Sequence, residues 1–416
     1  MRKKRLAAVA LVAMWPMLLA FNPMTVETEH YLFKTDVPRE QAKEAFIRMD
    51  RAFEDYGYVL KDIGRPVEKR LPAVFFANGF DLSAMTGDAR PQAMFMPSQN
   101  YAMLFTMNRD TDYVWSSLQH EAFHQYVYFS VGWLPTWLNE GNATYYGSAI
   151  YTGDGYMKGR LPPDDLGLLQ QLVANNTYMP FGRLIAMDQK TWNTVYEQRL
   201  YTQSWSMVYF LMHADGGKYR PYLEDYLSKV SKATQNQRDS AEAGRKMWEE
   251  VFGNDMVAFE NRWKQWVRGL SERDNLPIAR QANVRTILAY MDRGIMAKVP
   301  FNNVGQFVGL ASTGRIPIPD DQVSWIPPEI LHSALGQMDR NARWELTAEN
   351  NRPVLTVIYP DGMGIRAKYA DDSKFKITTS EILGQATVPT RQGVATTAPA
   401  NRGSVRSGSP GRAAGR

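Results

Sequence analysis

The chain has no cysteine and only five histidines: His30, His120, His124, His213 and His332. Without cysteine there are no disulfides, no thiolate metal ligands and no lipid-modified amino-terminal cysteine, so any metal has to be held by nitrogen and oxygen. The apolar run at the amino terminus, Leu6 to Ala20, is broken by Pro16 and is short for a membrane span. A basic body is missing as well. The net charge is +5, yet Arg2, Lys3, Lys4 and Arg5 together with five arginines in 385–416 leave residues 6–384 at −4. No extended basic face of the kind nucleic acid requires is expected.

Four basic residues followed by an apolar run have the layout of a secretory signal over residues 1–21, cleaved after Ala20 or retained as an anchor. Export without disulfides fits a bacterial cell envelope or medium, so the expected location is secreted or periplasmic. With 416 residues and 44% hydrophobic content, the chain is long enough for two or three domains.

The informative stretch is Trp115 to Gly141. His120, Glu121 and His124 form HExxH, and on a helix side chains four apart share one face, so two imidazoles can reach one ion. Glu121 stands beside them as a group able to take a proton from water. By composition alone such a motif arises in roughly one sequence of this kind in several hundred. A catalytic zinc takes three protein ligands and keeps a fourth position open. Glu140, with fifteen residues between it and His124, supplies the third donor, a carboxylate. The residues therefore point to a Zn²⁺-dependent hydrolase with His120, His124 and Glu140 as ligands and Glu121 as base.

Periodicity predicts a strand over 29–35, a helix over 41–56, a strand over 71–77, a short helix over 80–87 and a strand over 101–107 leading into the HExxH helix. The expected fold is α+β, a small mixed sheet with helices against one face. The strand Tyr101 to Met107 is a candidate sheet edge to which an extended substrate could add, with an interior strand as the equal alternative. Gly132 ends the HExxH helix. Pro135 and Thr136 start the next, Thr136 as a cap and Trp137 and Leu138 as packing between the two helices. The segment 151–180 reads as a loop with a short helix that could wall a cleft. Helices are expected over 219–230, 240–252 and 255–270, followed by a polar linker at 271–277. A helix over 278–292 and a short one near 331–338 come next, and strands over 343–348, 354–359 and 364–369 are expected to form a small antiparallel meander. The boundaries are thus 22–132, 133–270 and 278–383, with a disordered basic tail over 384–416.

HExxH followed by Trp137-Leu138-Asn139-Glu140-Gly141 resembles the gluzincin metallopeptidases. The segment is similar to that of the zinc aminopeptidases that include leukotriene hydrolase, and to a set of secreted bacterial proteins whose domain is of unknown function. The likeness covers about Thr25 to Leu270 and is strongest over Trp115 to Gly147. It implies a zincin-like sheet packed on the HExxH helix, a mainly helical second subdomain, a peptide or protein substrate, and Tyr201 as the hydroxyl that stabilises the oxyanion. Two departures stand out. The interval from His124 to Glu140 is shorter than in the aminopeptidases, and the segment Gln92 to Met96 lacks the glutamate that binds a free amino group there. Endopeptidase action is favoured accordingly. Two other readings stay open: a zinc-containing envelope binding protein without turnover, and a zinc amidase acting on cell wall.

Overall fold

The computed structural model describes residues 23–87, 93–97, 100, 102–106, 111–195, 197–234, 240–320, 324–371 and 376–383. The expected signal and the basic tail lie outside the described residues.

The fold is mixed α+β. It opens with β1 (Met24–Glu27), β2 (Tyr31–Thr35), α1 (Arg39–Leu60), β3 (Leu71–Phe76), α2 (Gly79–Thr86), β4 (Ala93–Met96) and β5 (Ala102–Thr106). These strands form one sheet in the order β1-β2-β3-β5-β4. The β2, β3 and β5 strands are parallel, while β1 and β4 run antiparallel at the two edges. The helix α3 (Thr111–Ser130) carries HExxH. Strand alternation sends Phe33, Ala73, Phe75 and Phe105 to one face, where they meet Phe46 and Met49 of α1 and Phe123 and Tyr126 of α3. Phe75 and Phe105 stack at 4.3 Å, and Phe33 lies 4.4 Å from Phe46. Each such buried ring contributes roughly 1.5–3 kcal/mol.

One expectation is corrected here and one alternative is decided. The other face is not bare, because Phe76 and Leu104 meet Leu82 of α2 there. Of the two readings of 101–107 the interior one holds: β5 is enclosed between β3 and β4, and the edge is β4. The run Ala93 to Met96 is apolar enough to be a strand, and it folds back antiparallel onto β5, with Phe95 opposite Met103.

A mainly helical run sharing the same hydrophobic core follows, with α4 (Thr136–Gly147), a hairpin of β6 (Ile150–Tyr151) and β7 (Tyr156–Met157), then α5 (Pro163–Ala174), α6 (Phe181–Ile185), α7 (Gln189–Val195), α8 (Gln198–His213), α9 (Arg220–Thr234), α10 (Ser240–Phe252) and α11 (Met256–Gly269). Trp137, Trp192, Trp205, Trp248 and Trp263 are fully buried. Trp137 lies in the same core cluster as the α3 residues, and its ring meets Tyr226 of α9 and Trp248 of α10, at 6.1 and 5.7 Å. Thr136 does not cap α4 as expected; Pro135 holds the cap position and the Thr136 hydroxyl points to Gln189.

A separate hydrophobic cluster begins at Val284. It joins α12 (Asn275–Met296), α13 (Val304–Ser312) and α14 (Pro328–Gly336) to an antiparallel sheet of β8 (Arg343–Glu349), β9 (Arg352–Ile358), β10 (Gly364–Tyr369) and β11 (Thr378–Leu383), in the order β11-β10-β9-β8. The meander thus gains a fourth strand. The module is fixed to the β6–β7 hairpin through charge. Arg293 of α12 donates to both oxygens of Asp154, with 2.6 Å to Oδ1, and Tyr369 donates to Asp154 Oδ2 at 2.7 Å. The Asp154 carbonyl accepts from the Thr378 N–H at 2.7 Å, and Arg51 of α1 approaches the same carboxylate at 3.8 Å. Burial alone would raise Asp154, but Arg293 and Arg51 outweigh it and hold the carboxyl below its ordinary range.

Candidate metal centre and cleft

The two helices that carry the donors are brought together by small residues. A Cβ on Gly141 would lie 2.5 Å from the Ser204 carbonyl oxygen, so only glycine lets α4 sit this close to α8. At the other end of α4, a Cβ on Gly147 would meet the Ser116 carbonyl oxygen at 3.0 Å and the His120 Cβ at 3.4 Å. The buried amide of Gln119 then fastens α3 to that end, facing the carbonyls of Tyr146, Gly147 and Ala149 at 3.1, 3.2 and 3.1 Å. Tyr56 of α1 donates to the Gln119 carbonyl at 2.8 Å. Neither Gln119 nor these glycines were singled out from the sequence as positioning groups, although the Gly of WLNEG was visible there.

The result is a convergence of three donor atoms. His120 Nε2 and His124 Nε2 are 3.0 Å apart, and Glu140 Oε2 lies 3.3 Å from the first and 3.4 Å from the second. Four-coordinate geometry with bonds of about 2.0–2.1 Å separates neighbouring donors by about 3.3 Å. The triangle has the spacing that a divalent cation bound by nitrogen and oxygen requires. Glu121 belongs to the same cluster: one of its carboxylate oxygens and a ring nitrogen of each of His120 and His124 lie within 4.8 Å of one another. Its Oε2 accepts the Phe95 N–H of the edge strand β4 at 2.7 Å.

The electrostatics favour positive charge at this point. Burial pushes His124 down, but Glu140 and Glu121 outweigh it and raise the imidazole to about 9. Burial pushes Glu140 up, and His124 and His120 reverse that, holding the carboxyl well below its ordinary range.

All of this lines a cleft of about 1490 Å³. Tyr201, in the first turn of α8, is on its wall; its ring centroid is 6.5 Å from that of His120 and 5.2 Å from that of Trp192. Arg160 to Asp165, in the segment read as a possible cleft wall, contribute lining residues. Arg48 lines the cleft from α1, stacked on Trp115 and Tyr151 and paired with Glu44 at 2.7 Å. The structure therefore gathers His120, Glu121, His124, Glu140 and Tyr201 into one place. The Phe95 N–H is the participant that sequence reasoning missed, since it depends on which strand is the edge.

The family model that the chain matches is described as a protein of unknown function, DUF1570. The match spans residues 115–234 and contains all five of these residues. No curated protein and no solved structure matches the chain. No helix among the described residues is long and apolar enough to cross a membrane.

Proposed function

We propose that the protein is an exported zinc metallopeptidase of gluzincin type that hydrolyses peptide bonds in extended polypeptides. The observation that carries this reading is the triangle of His120 Nε2, His124 Nε2 and Glu140 Oε2 in an open cleft, with the Glu121 carboxylate on the same helix. His120, His124 and Glu140 would hold Zn²⁺, which when bound supplies a Lewis acid and lowers the pKa of water to about 7. Glu121 takes a proton from the attacking water and hands it to the leaving amine. The Tyr201 hydroxyl donates a hydrogen bond to the substrate carbonyl oxygen as charge grows on it, which a phenol can do without competing for the ion.

The sheet supports a placement for the substrate. β4 is an edge strand beside Glu121, which takes the Phe95 N–H, and an extended peptide would add to the remaining backbone groups of that edge. The lining runs along α3 from Trp115 to Tyr128, about 20 Å at 1.5 Å per residue, enough for about six extended residues. That length suits an endopeptidase.

The test uses peptide-library hydrolysis with and without chelator. Activity is lost with the chelator and restored by Zn²⁺, and Glu121→Gln lowers turnover by about 10²–10⁴-fold while zinc per chain, measured by elemental analysis, stays at the wild-type level. Hydrolysis unchanged in Glu121→Gln with zinc still bound would overturn the assignment of the base, and no hydrolysis by the zinc-loaded protein would overturn the reading itself.

A further inference from the structure

Deepening the peptidase reading, on which it rests, we propose that the cleft selects an aromatic side chain of an extended polypeptide, seated against Phe95, Tyr128 and Trp133, within two residues of the bond cut. Tyr128 follows His124 by four positions, on the same face and about 6 Å along the helix. An extended chain advances about 3.3 Å per residue, so a side chain reaching Tyr128 belongs to the first or second residue from the scissile bond.

Three different local devices build this wall. Gly132, at φ 103°, ends α3 with its N–H on the Val127 carbonyl at 2.9 Å. The reversal that follows lays Trp133 edge-on to Tyr128, with ring centroids 5.2 Å apart. From the other side the edge strand brings the Phe95 ring to 5.8 Å from Tyr128, with the same residue's N–H on Glu121. All three residues line the cleft that holds the donor triangle. Trp133 is 42% exposed, whereas Trp137, Trp192, Trp205, Trp248 and Trp263 are fully buried. The exposed ring is therefore not part of the packing that consumes the other five. An incoming ring can add edge-to-face contacts to this cluster, which a small or charged side chain cannot.

The experiment sweeps one position at a time on each side of the scissile bond through Phe, Leu, Ala and Asp in otherwise identical peptides. Phe is favoured over Ala by about tenfold in kcat/KM at one position, and Trp133→Ala and Tyr128→Ala each cut that ratio to about twofold or less, chiefly through KM. Trp133→Phe retains most of it, which separates loss of the ring from general disturbance. The same peptides are titrated calorimetrically into zinc-loaded Glu121→Gln protein, with and without Trp133→Ala. Phe-dependent binding without any wild-type hydrolysis would sink the peptidase reading and keep the pocket. A Phe:Ala ratio that Trp133→Ala leaves unchanged, or binding indifferent to Phe, would sink the pocket whether or not the peptides are cut.

Discussion

At His120, His124 and Glu140 a buried carboxylate faces two imidazoles on the wall of an open cleft, whereas at Asp154 a buried carboxylate is enclosed by Arg293, Arg51, Tyr369 and the Thr378 backbone. Both carboxyls are held below their ordinary range against their own burial. The partners differ in kind. Guanidinium is permanently charged and cannot ligate a metal, so the Asp154 cluster is complete in itself. Imidazole nitrogens carry lone pairs, so the donors that converge on the cleft are of a kind that can hold a cation. A perturbed carboxyl is thus a guide to function only when its partners and its access to solvent are considered with it.

That contrast can be broken by substitution. Arg293→Met leaves Asp154 buried with its main partner gone and should cost about 3–5 kcal/mol of folding stability, read by denaturant unfolding. If stability is unchanged, the carboxyl-terminal module is not held through this pair. Glu140→Gln should behave in the opposite way, weakening zinc binding by about 100-fold or more in competition titrations, with the unfolding free energy of the metal-free protein moving by about 1 kcal/mol. Equal losses in both assays would erase the distinction drawn between the two clusters.

His213 supplies an internal control, an imidazole with no carboxylate against it among the described residues. Burial, assisted by Arg220, pushes it down to about 4, and the Tyr145 hydroxyl lies 2.9 Å from its Nε2. Its folded pKa lies below its unfolded value of 6.5, so the unfolded chain binds more protons between these limits. This contribution is present in full above pH 6.5 and is lost as pH falls toward 4, amounting to about 3 kcal/mol. Unfolding measured at pH 7 and pH 4.5 should show a steeper acid loss for wild type than for His213→Gln. The smallest effect concerns geometry. Gly141→Ala forces a methyl toward the Ser204 carbonyl, costing about 1–3 kcal/mol, and moves Glu140 with it, so zinc affinity falls alongside stability. A stable Gly141→Ala protein with unaltered metal binding would show that α4 can shift without disturbing the triangle.

The HExxH helix was legible because its information is local: four-residue spacing on a helix fixes two imidazoles on one face wherever that helix lies. Glu140 and Tyr201 were legible as donor types on neighbouring helices, through the resemblance and the helix signals around them. Gly364–Tyr369 and Ser240–Phe252 match their expected ranges, because alternation and helical period were strong there. The edge strand was not legible. Ala93–Met96 is as apolar as an interior strand, and nothing in four residues says whether a neighbour lies on one side or both. The ring partners of Trp137 on α9 and α10 were not legible for a similar reason, since an apolar residue on a helix predicts burial without naming its partner.

By itself, then, the sequence determined the chemical inventory: a cysteine-free chain in which any metal has to be held by nitrogen and oxygen, two histidines and a glutamate on one helix, and a further carboxylate soon after. Tertiary structure alone decided that the Phe95 N–H meets Glu121, that glycine contacts seat α4 against α3 and α8, and that Arg293 reaches Asp154 across 139 positions. The reason is range. Helical spacing acts over a few residues and is written in order along the chain, whereas strand neighbours, helix approach and buried ion pairs depend on segments that only folding brings together.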